Sequence, residues 1–156
     1  MRNYLINEIR RQGLDQLSPS DAQLYFGRPN PTAEDWADLM TVMMSMESNF
    51  RSDLTYRENF TDRNGDNVVS TGLLQLSQES LRGYGYNYST EDLMNPSVNI
   101  SAGVGVLRHW VERDGVIGNG GNTNSSARGG SRYWSVLRNN NGKRGTIINT
   151  LKGNSN

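Results

Sequence analysis

The chain has no cysteine and a single histidine, His109. The first absence removes disulfide scaffolds, thiol nucleophiles and cysteine-ligated metal sites together. The second removes any metal centre built from several histidines. An excess of charge of one sign is missing too, because 16 Lys and Arg balance 16 Asp and Glu, and no long basic block occurs. Binding to nucleic acid or to a membrane surface driven by charge is therefore not expected. Apolar runs are short, the longest being Leu39 to Met46 with polar breaks, far below the ~20 residues of a membrane span. The start, Met1-Arg2-Asn3-Tyr4, lacks the apolar core of a secretory signal. What is left for chemistry is carboxylates, hydroxyls and amides, with no metal and no cofactor expected.

What is present fits one globular domain: 156 residues, 34% of them hydrophobic, with 17 glycines. The most strongly patterned segment opens at Pro31-Thr32-Ala33-Glu34-Asp35, a cap residue followed three positions later by a carboxylate, and predicts a helix over Ala33 to Ser48. Two weaker helical stretches precede it, Tyr4 to Gln12 and Ser18 to Tyr25, the second capped by Ser18 or Ser20 and closed by Gly27. After it, Leu54, Tyr56, Glu58 and Phe60 alternate with Thr55, Arg57 and Asn59, and Asp62-Arg63-Asn64-Gly65-Asp66 leads to Asn67-Val68-Val69-Ser70. This predicts a β-hairpin with Asn64-Gly65 at its tip. The acidic turn is not a calcium loop, because its glycine is fourth instead of sixth and Leu73 stands where a bidentate glutamate belongs.

A short helix is expected at Ser77 to Arg82, followed by a Gly/Tyr loop through Tyr88 and another short turn capped by Ser89-Thr90-Glu91-Asp92. Ile100, Val104, Leu107 and Val111 define one face of a buried helix ending near Asp114-Gly115, and place His109 on the opposite, solvated face. Gly118 to Gly130 reads as a flexible loop, Arg132 to Leu137 as a last helix, and the chain from Asn139 as a frayed tail. The expected organisation is an N-terminal helical extension (1–31), a catalytic domain (32–138) and a tail (139–156).

One carboxylate breaks the pattern. Glu47 lies eleven, seven and four residues after Trp36, Met40 and Met43, so all four share one face of the long helix. Desolvation there disfavours the charged form, which is what a general acid working near neutral pH requires. The same spacing also admits a glutamate of the last turn that escapes to water or pairs with Arg51.

The surrounding motifs separate these readings. Met46-Glu47-Ser48-Asn49-Phe50 resembles the Glu-Ser-x-Phe motif of the lytic transglycosylase and goose-type lysozyme superfamily. Ser70-Thr71-Gly72-Leu73-Leu74-Gln75-Leu76 resembles its Gly-Leu-Met-Gln motif, with Leu74 for methionine. Asp92 to Gly103 resembles its Asp-Leu-x-x-Pro-x-x-Asn-Ile-x-x-Gly signature. The resemblance covers Ala33 to Leu137. The family's Ala-Tyr-Asn-x-Gly motif is absent as such, and Ser131-Arg132-Tyr133-Trp134 is nearest in position.

The resemblance implies a mostly α-helical α+β, lysozyme-like domain with a small β-hairpin beside the cleft, whose partner is the peptidoglycan glycan strand. It implies cleavage between N-acetylmuramic acid and N-acetylglucosamine, with Glu47 as acid and then base and a 1,6-anhydro sugar as product. Gly72, Leu73, Leu74 and Gln75 would bind substrate, as would Ser70, Tyr56 and Tyr133. Glu58 is the candidate for a second carboxylate, with Asp62 in reserve; a solvated hairpin charge is the plainer reading of both. A muramidase using Glu58 or Asp62 to assist water, and a silent glycan-binding subunit, are the alternatives. A monomer or virion component, made without a signal peptide and delivered to the cell wall by a phage holin or virion, completes the expectation.

Overall fold

The computed structural model describes residues 1–154. They form two compact units, one of Met1–Met43 with the chain from Val104 onward, the other of Met44–Gly103.

In the first unit, α1 (Arg2–Gln12) buries Leu5 and Ile9, while its exposed Arg2 and Arg10 pair with Asp38 and Glu34 at 2.8 Å each. Helix α2 (Ala22–Phe26) starts two residues after Ser20, and neither Ser18 nor Ser20 caps it. Asp21 stands at the cap position, with its carboxylate turned to the Ile117 and Gly118 N–H groups at 2.7 and 3.3 Å. Helix α3 (Ala33–Ser48) has the expected bounds. Thr32 Oγ1 accepts from the Asp35 N–H, and Asp35 accepts from the Thr32 N–H, the reciprocal cap that the sequence pattern predicts. Trp36, Met40 and Met43 are fully buried.

Three segments of this unit differ from expectation. The glycine-rich stretch is an ordered ribbon of β4 (Gly118–Asn119) and β5 (Arg128–Gly129). Its glycines serve close approach: Gly129 has φ 63°, and a Cβ there would strike the Val116 and Ile117 carbonyls. The helix expected over Arg132 to Leu137 is two single 3-10 turns, Gly130–Arg132 and Ser135–Leu137. The segment's polar groups go to distant partners instead: Arg132 pairs with Asp114 at 2.6 Å, and the Ser131 hydroxyl lies 2.6 Å from the Asn119 carbonyl. The tail is a helix, α7 (Gly142–Asn154), which buries Ile147, Ile148 and Leu151. Arg144 fixes it by donating from Nε to the Tyr25 hydroxyl (3.2 Å) and the Gly118 carbonyl (3.1 Å). The part of the frayed-tail expectation at 155–156 lies outside the described residues.

Burial pushes the Tyr25 hydroxyl up to about 12, so it remains a donor to the Gly118 carbonyl (2.7 Å) throughout the neutral range. Burial also raises Asp21, whereas the Arg132 guanidinium holds Asp114 below its usual 3.8. The two act in opposite directions on stability. Asp114 contributes stability that is full above its unfolded value and lost as pH falls through its depressed folded value. Asp21 contributes stability that is full below its unfolded value and lost as pH rises through its raised one. Thermal melts across pH 2–6 should therefore show an acid limb that flattens in Asp114→Asn; an unchanged limb would remove Asp114 from this role.

The second unit is built on a three-stranded antiparallel sheet in the order β1 (Thr55–Thr61), β2 (Asn67–Thr71), β3 (Leu76–Ser77). The hairpin is the expected one. Asp62 Oδ1 accepts from the Asn64 and Asp66 N–H groups at 2.9 and 3.0 Å, which closes its turn. Strand β3 was not foreseen, because two residues carry no alternation to read. Helix α4 (Gln78–Arg82) is capped by Ser77, and α5 (Thr90–Leu93) by a Ser89–Asp92 capping box. Helix α6 (Pro96–Asp114) starts in this unit and ends, as expected, at Asp114-Gly115. His109 on it is exposed, with its ring edge-on to Trp110.

Candidate active site

Glu47 lies in the last turn of α3, half-buried. Arg51, its suggested i+4 partner, has its Nε 3.6 Å from Asp53. The end of α3 is tied to the glycine-leucine segment by the next residue: the buried Ser48 hydroxyl lies 2.9 Å from the Leu73 carbonyl and 3.1 Å from that of Met44. Beyond Ser48 the helix is stopped by two residues in the left-handed region, Asn49 (φ 51°) and Phe50 (φ 61°). For an aromatic side chain that conformation is uncommon and costs on the order of 1 kcal/mol or more. The cost falls directly after the Glu-Ser pair, and it turns the chain sharply toward β1.

The Gly72–Gln75 segment is held from three sides. Gly72 has φ 78°, and a Cβ on it would come within 2.5 Å of Asn99 Nδ2 and 2.6 Å of the Leu93 carbonyl. The missing side chain thus makes room for protein, and glycine is required both for the turn and for the approach. Gln75, also at positive φ, donates from Nε2 to the Leu54 and Gly72 carbonyls at 3.1 and 3.0 Å. Leu74 is fully buried, and its N–H donates to Asn99 Oδ1 at 2.9 Å. Gly103 on α6 leaves space for the Leu74 side chain.

Asn99 is the residue that sequence reasoning passed over. It is fully buried, and besides accepting from Leu74 it donates to the Thr71 and Leu93 carbonyls, each at 2.9 Å. Every hydrogen-bonding direction of its amide but one is used. Its signal in the sequence is the asparagine of the Asp92–Gly103 signature, to which no role was attached.

On the sheet, Tyr56 is the register partner of Ser70, so these two and Glu58 share a face. The Ser70 hydroxyl, almost buried, donates to Glu58 Oε1 at 2.8 Å. Glu58 is half-buried, whereas Tyr56 is 60% exposed. The register shifts between Arg57 and Thr61, which breaks the simple alternation expected to carry Phe60 onto the same face. Tyr133 lies in the first unit, half-buried, its ring 4.9 Å from that of Trp134. Trp134 is 2% exposed and belongs to the core, so it has no face to offer a sugar. Among the described residues, no cluster of three or more His, Asp or Glu is placed to hold a metal, and no helix is long and apolar enough to cross a membrane.

A mostly helical domain with a glutamate at the end of a long helix and a small antiparallel sheet beside it defines the lysozyme-like class, and the comparisons with known proteins agree. Residues 25–119 match the Transglycosylase SLT domain family, and the chain belongs to it. Solved structures of Bd0314 DslA superpose on 97% of this chain and 87% of their own. The wild type gives a TM-score of 0.85 at 34% identity. Two variants, each with one glutamate replaced by glutamine, give 0.86 at 32% and 0.84 at 33%. No curated protein sequence matches. The protein is thus a peptidoglycan-cleaving enzyme of the lytic transglycosylase type, acting on the cell wall.

Proposed function

We propose that the protein is a lytic transglycosylase that cleaves the β-1,4 bond between N-acetylmuramic acid and N-acetylglucosamine, with Glu47 as its acid and base. The supporting observation is the placement of Glu47: half-buried at the end of α3, beside a serine that fixes this end to the Gly72–Gln75 turn. Glu47 gives its proton to the departing glycosidic oxygen as the bond to the muramic C1 breaks and positive charge develops there. The carboxylate so formed takes the proton of the C6 hydroxyl of the same sugar, whose oxygen closes on C1. The product is a 1,6-anhydro ring, and no water is consumed. One carboxyl group serves both steps.

In this reading the exposed Tyr56 stacks on a sugar ring, and Gln75, with its amide nitrogen committed to two carbonyls, offers Oε1 to an acetamido N–H. Gly72, Leu73 and Leu74 act through the backbone they hold in place. Ser70 acts through Glu58, and Tyr133 is kept as a candidate ring for a sugar.

A second reading, hydrolysis with Glu58 positioning water, is favoured by one specific observation. The two glutamates replaced in the DslA variants are eleven residues apart, as are Glu47 and Glu58. Glu58→Gln separates the two. A transglycosylase takes its nucleophile from the substrate and loses only the electrostatic support of this carboxylate to the cationic ring, so a several-fold fall in turnover on purified sacculi is expected. Loss of nearly all turnover would assign the hydrolytic mechanism instead.

A further inference from the structure

The segment Gly83-Tyr84-Gly85-Tyr86-Asn87-Tyr88 sets three of the chain's seven tyrosines in five residues, and nothing in the cleavage chemistry uses them. It is a built loop. The Tyr84 and Tyr86 N–H groups both donate to the Leu81 carbonyl, at 3.0 and 3.1 Å, and Gly85 takes φ 87° with open space where its Cβ would be. Its two ends are pinned to each other, because the Thr90 N–H donates to Gln78 Oε1 at 3.0 Å. On it the Tyr86 and Tyr88 rings lie nearly parallel, 17° apart with centroids at 5.7 Å, and all three tyrosines are half-buried.

The loop is also near the catalytic sheet. Ser77, at the start of α4, is the register partner of Ser70, which holds Glu58. Across one strand spacing, five helical residues and two more, Tyr84 lies within roughly 20 Å of Ser70. That is the reach of a few sugar rings along a glycan strand.

We propose that Tyr84, Tyr86 and Tyr88 form an accessory sugar-binding platform that grips the pyranose rings of the glycan strand away from the bond being cut. The inference rests on the reading of the substrate as peptidoglycan glycan. A pyranose presents an apolar C–H face and a rim of hydroxyl and acetamido groups. A tyrosine matches both, with its negative ring face and its polar tip. Pinned ends and parallel rings reduce the ordering cost of binding.

The test replaces Tyr86 and Tyr88 together by leucine, which keeps apolar volume and removes the flat ring and the hydroxyl. Far-UV circular dichroism and a thermal melt establish that the variant is folded. Binding to purified sacculi is measured in a Glu47→Gln background, and KM and kcat are measured on long glycan strands and on a short muropeptide fragment that spans only the cleavage site. Binding to sacculi should fall about tenfold, the scale of one to two stacking contacts. KM on long strands should rise correspondingly and far more than on the short fragment, with kcat much less affected. Sacculus binding equal to that of the Glu47→Gln parent, or an equal rise in KM on both substrates, would overturn the platform while leaving the cleavage reading intact. A wild-type protein that neither binds nor cleaves sacculi would overturn both. Should the double variant fail to fold, Tyr88→Leu alone carries the same comparison.

Discussion

Glu47→Gln should keep the fold and lose more than ~10²-fold of peptidoglycan cleavage, the usual scale of acid–base catalysis. The amide is nearly isosteric with the carboxyl group, so the packing of the α3 terminus and the Ser48–Leu73 bond should survive. What disappears is the proton for the departing oxygen, and with it the base for the C6 hydroxyl. Both halves of the reaction fail together. Loss of sacculus turbidity with time, measured beside a thermal melt, checks this: an inactive variant with the wild-type melt is the expected result. Substantial residual turnover would remove Glu47 from the chemistry.

Asn99→Ala should have the largest effect on the fold of the second unit. Asn99 satisfies three backbone groups around the Gly72–Gln75 turn, the Leu74 N–H and the Thr71 and Leu93 carbonyls. Alanine leaves all three without this partner in the core, at about 1–3 kcal/mol for each buried group that finds no other. A total of about 3 kcal/mol or more corresponds to a melting temperature lower by roughly 6–12 °C in a chain of this size. Asn99→Asp is not a rescue, because a carboxylate accepts from Leu74 but faces two carbonyl oxygens with no proton to give. Thermal melts of both variants test this, and a loss below about 1 kcal/mol in Asn99→Ala would show that the turn is held by other means. Where a variant remains folded, its activity should fall too, because the turn it loosens is the one to which Ser48 ties the glutamate-bearing helix end.

The sequence was most legible where a local rule and a tertiary demand agree. Thr32 and Asp35 announce the start of α3, and the apolar stripe of Trp36, Met40 and Met43 continues it, so both of its ends could be read. The hairpin was readable because Asp62 and Gly65 have turn chemistry independent of any distant contact. The failures share the opposite property. Gly129 and its neighbours look flexible by composition, but their small size admits carbonyls from another segment. The final helix α7 has only a short apolar pattern, Ile147, Ile148 and Leu151, flanked by glycine, and Arg144 anchors it to residues far away in the chain.

At the candidate site, the motifs point to Glu47, Gly72 and Gln75, but not to what holds them. The reach of Ser48 to Leu73, of Ser70 to Glu58 and of Asn99 to three backbone groups depends on segments 12 to 28 residues apart, except for the bond to Leu93. Spacing within one element carries no trace of such contacts. Gly72 illustrates the difference: the motif marks the glycine, whereas the Asn99 amide packed against it is visible only in three dimensions.

The most direct test of the account is the chemistry of the new chain ends. Purified sacculi are digested with the wild-type enzyme and, in parallel, with Glu47→Gln, and the soluble muropeptides are weighed by mass spectrometry before and after borohydride reduction. Wild-type products should end in 1,6-anhydro-muramic acid, lighter by one water than the hydrolytic product and inert to borohydride, and Glu47→Gln should release almost no product. Wild-type products that all gain two hydrogens on reduction would contradict it, because reducing ends arise only when water, and not the C6 hydroxyl, attacks the sugar.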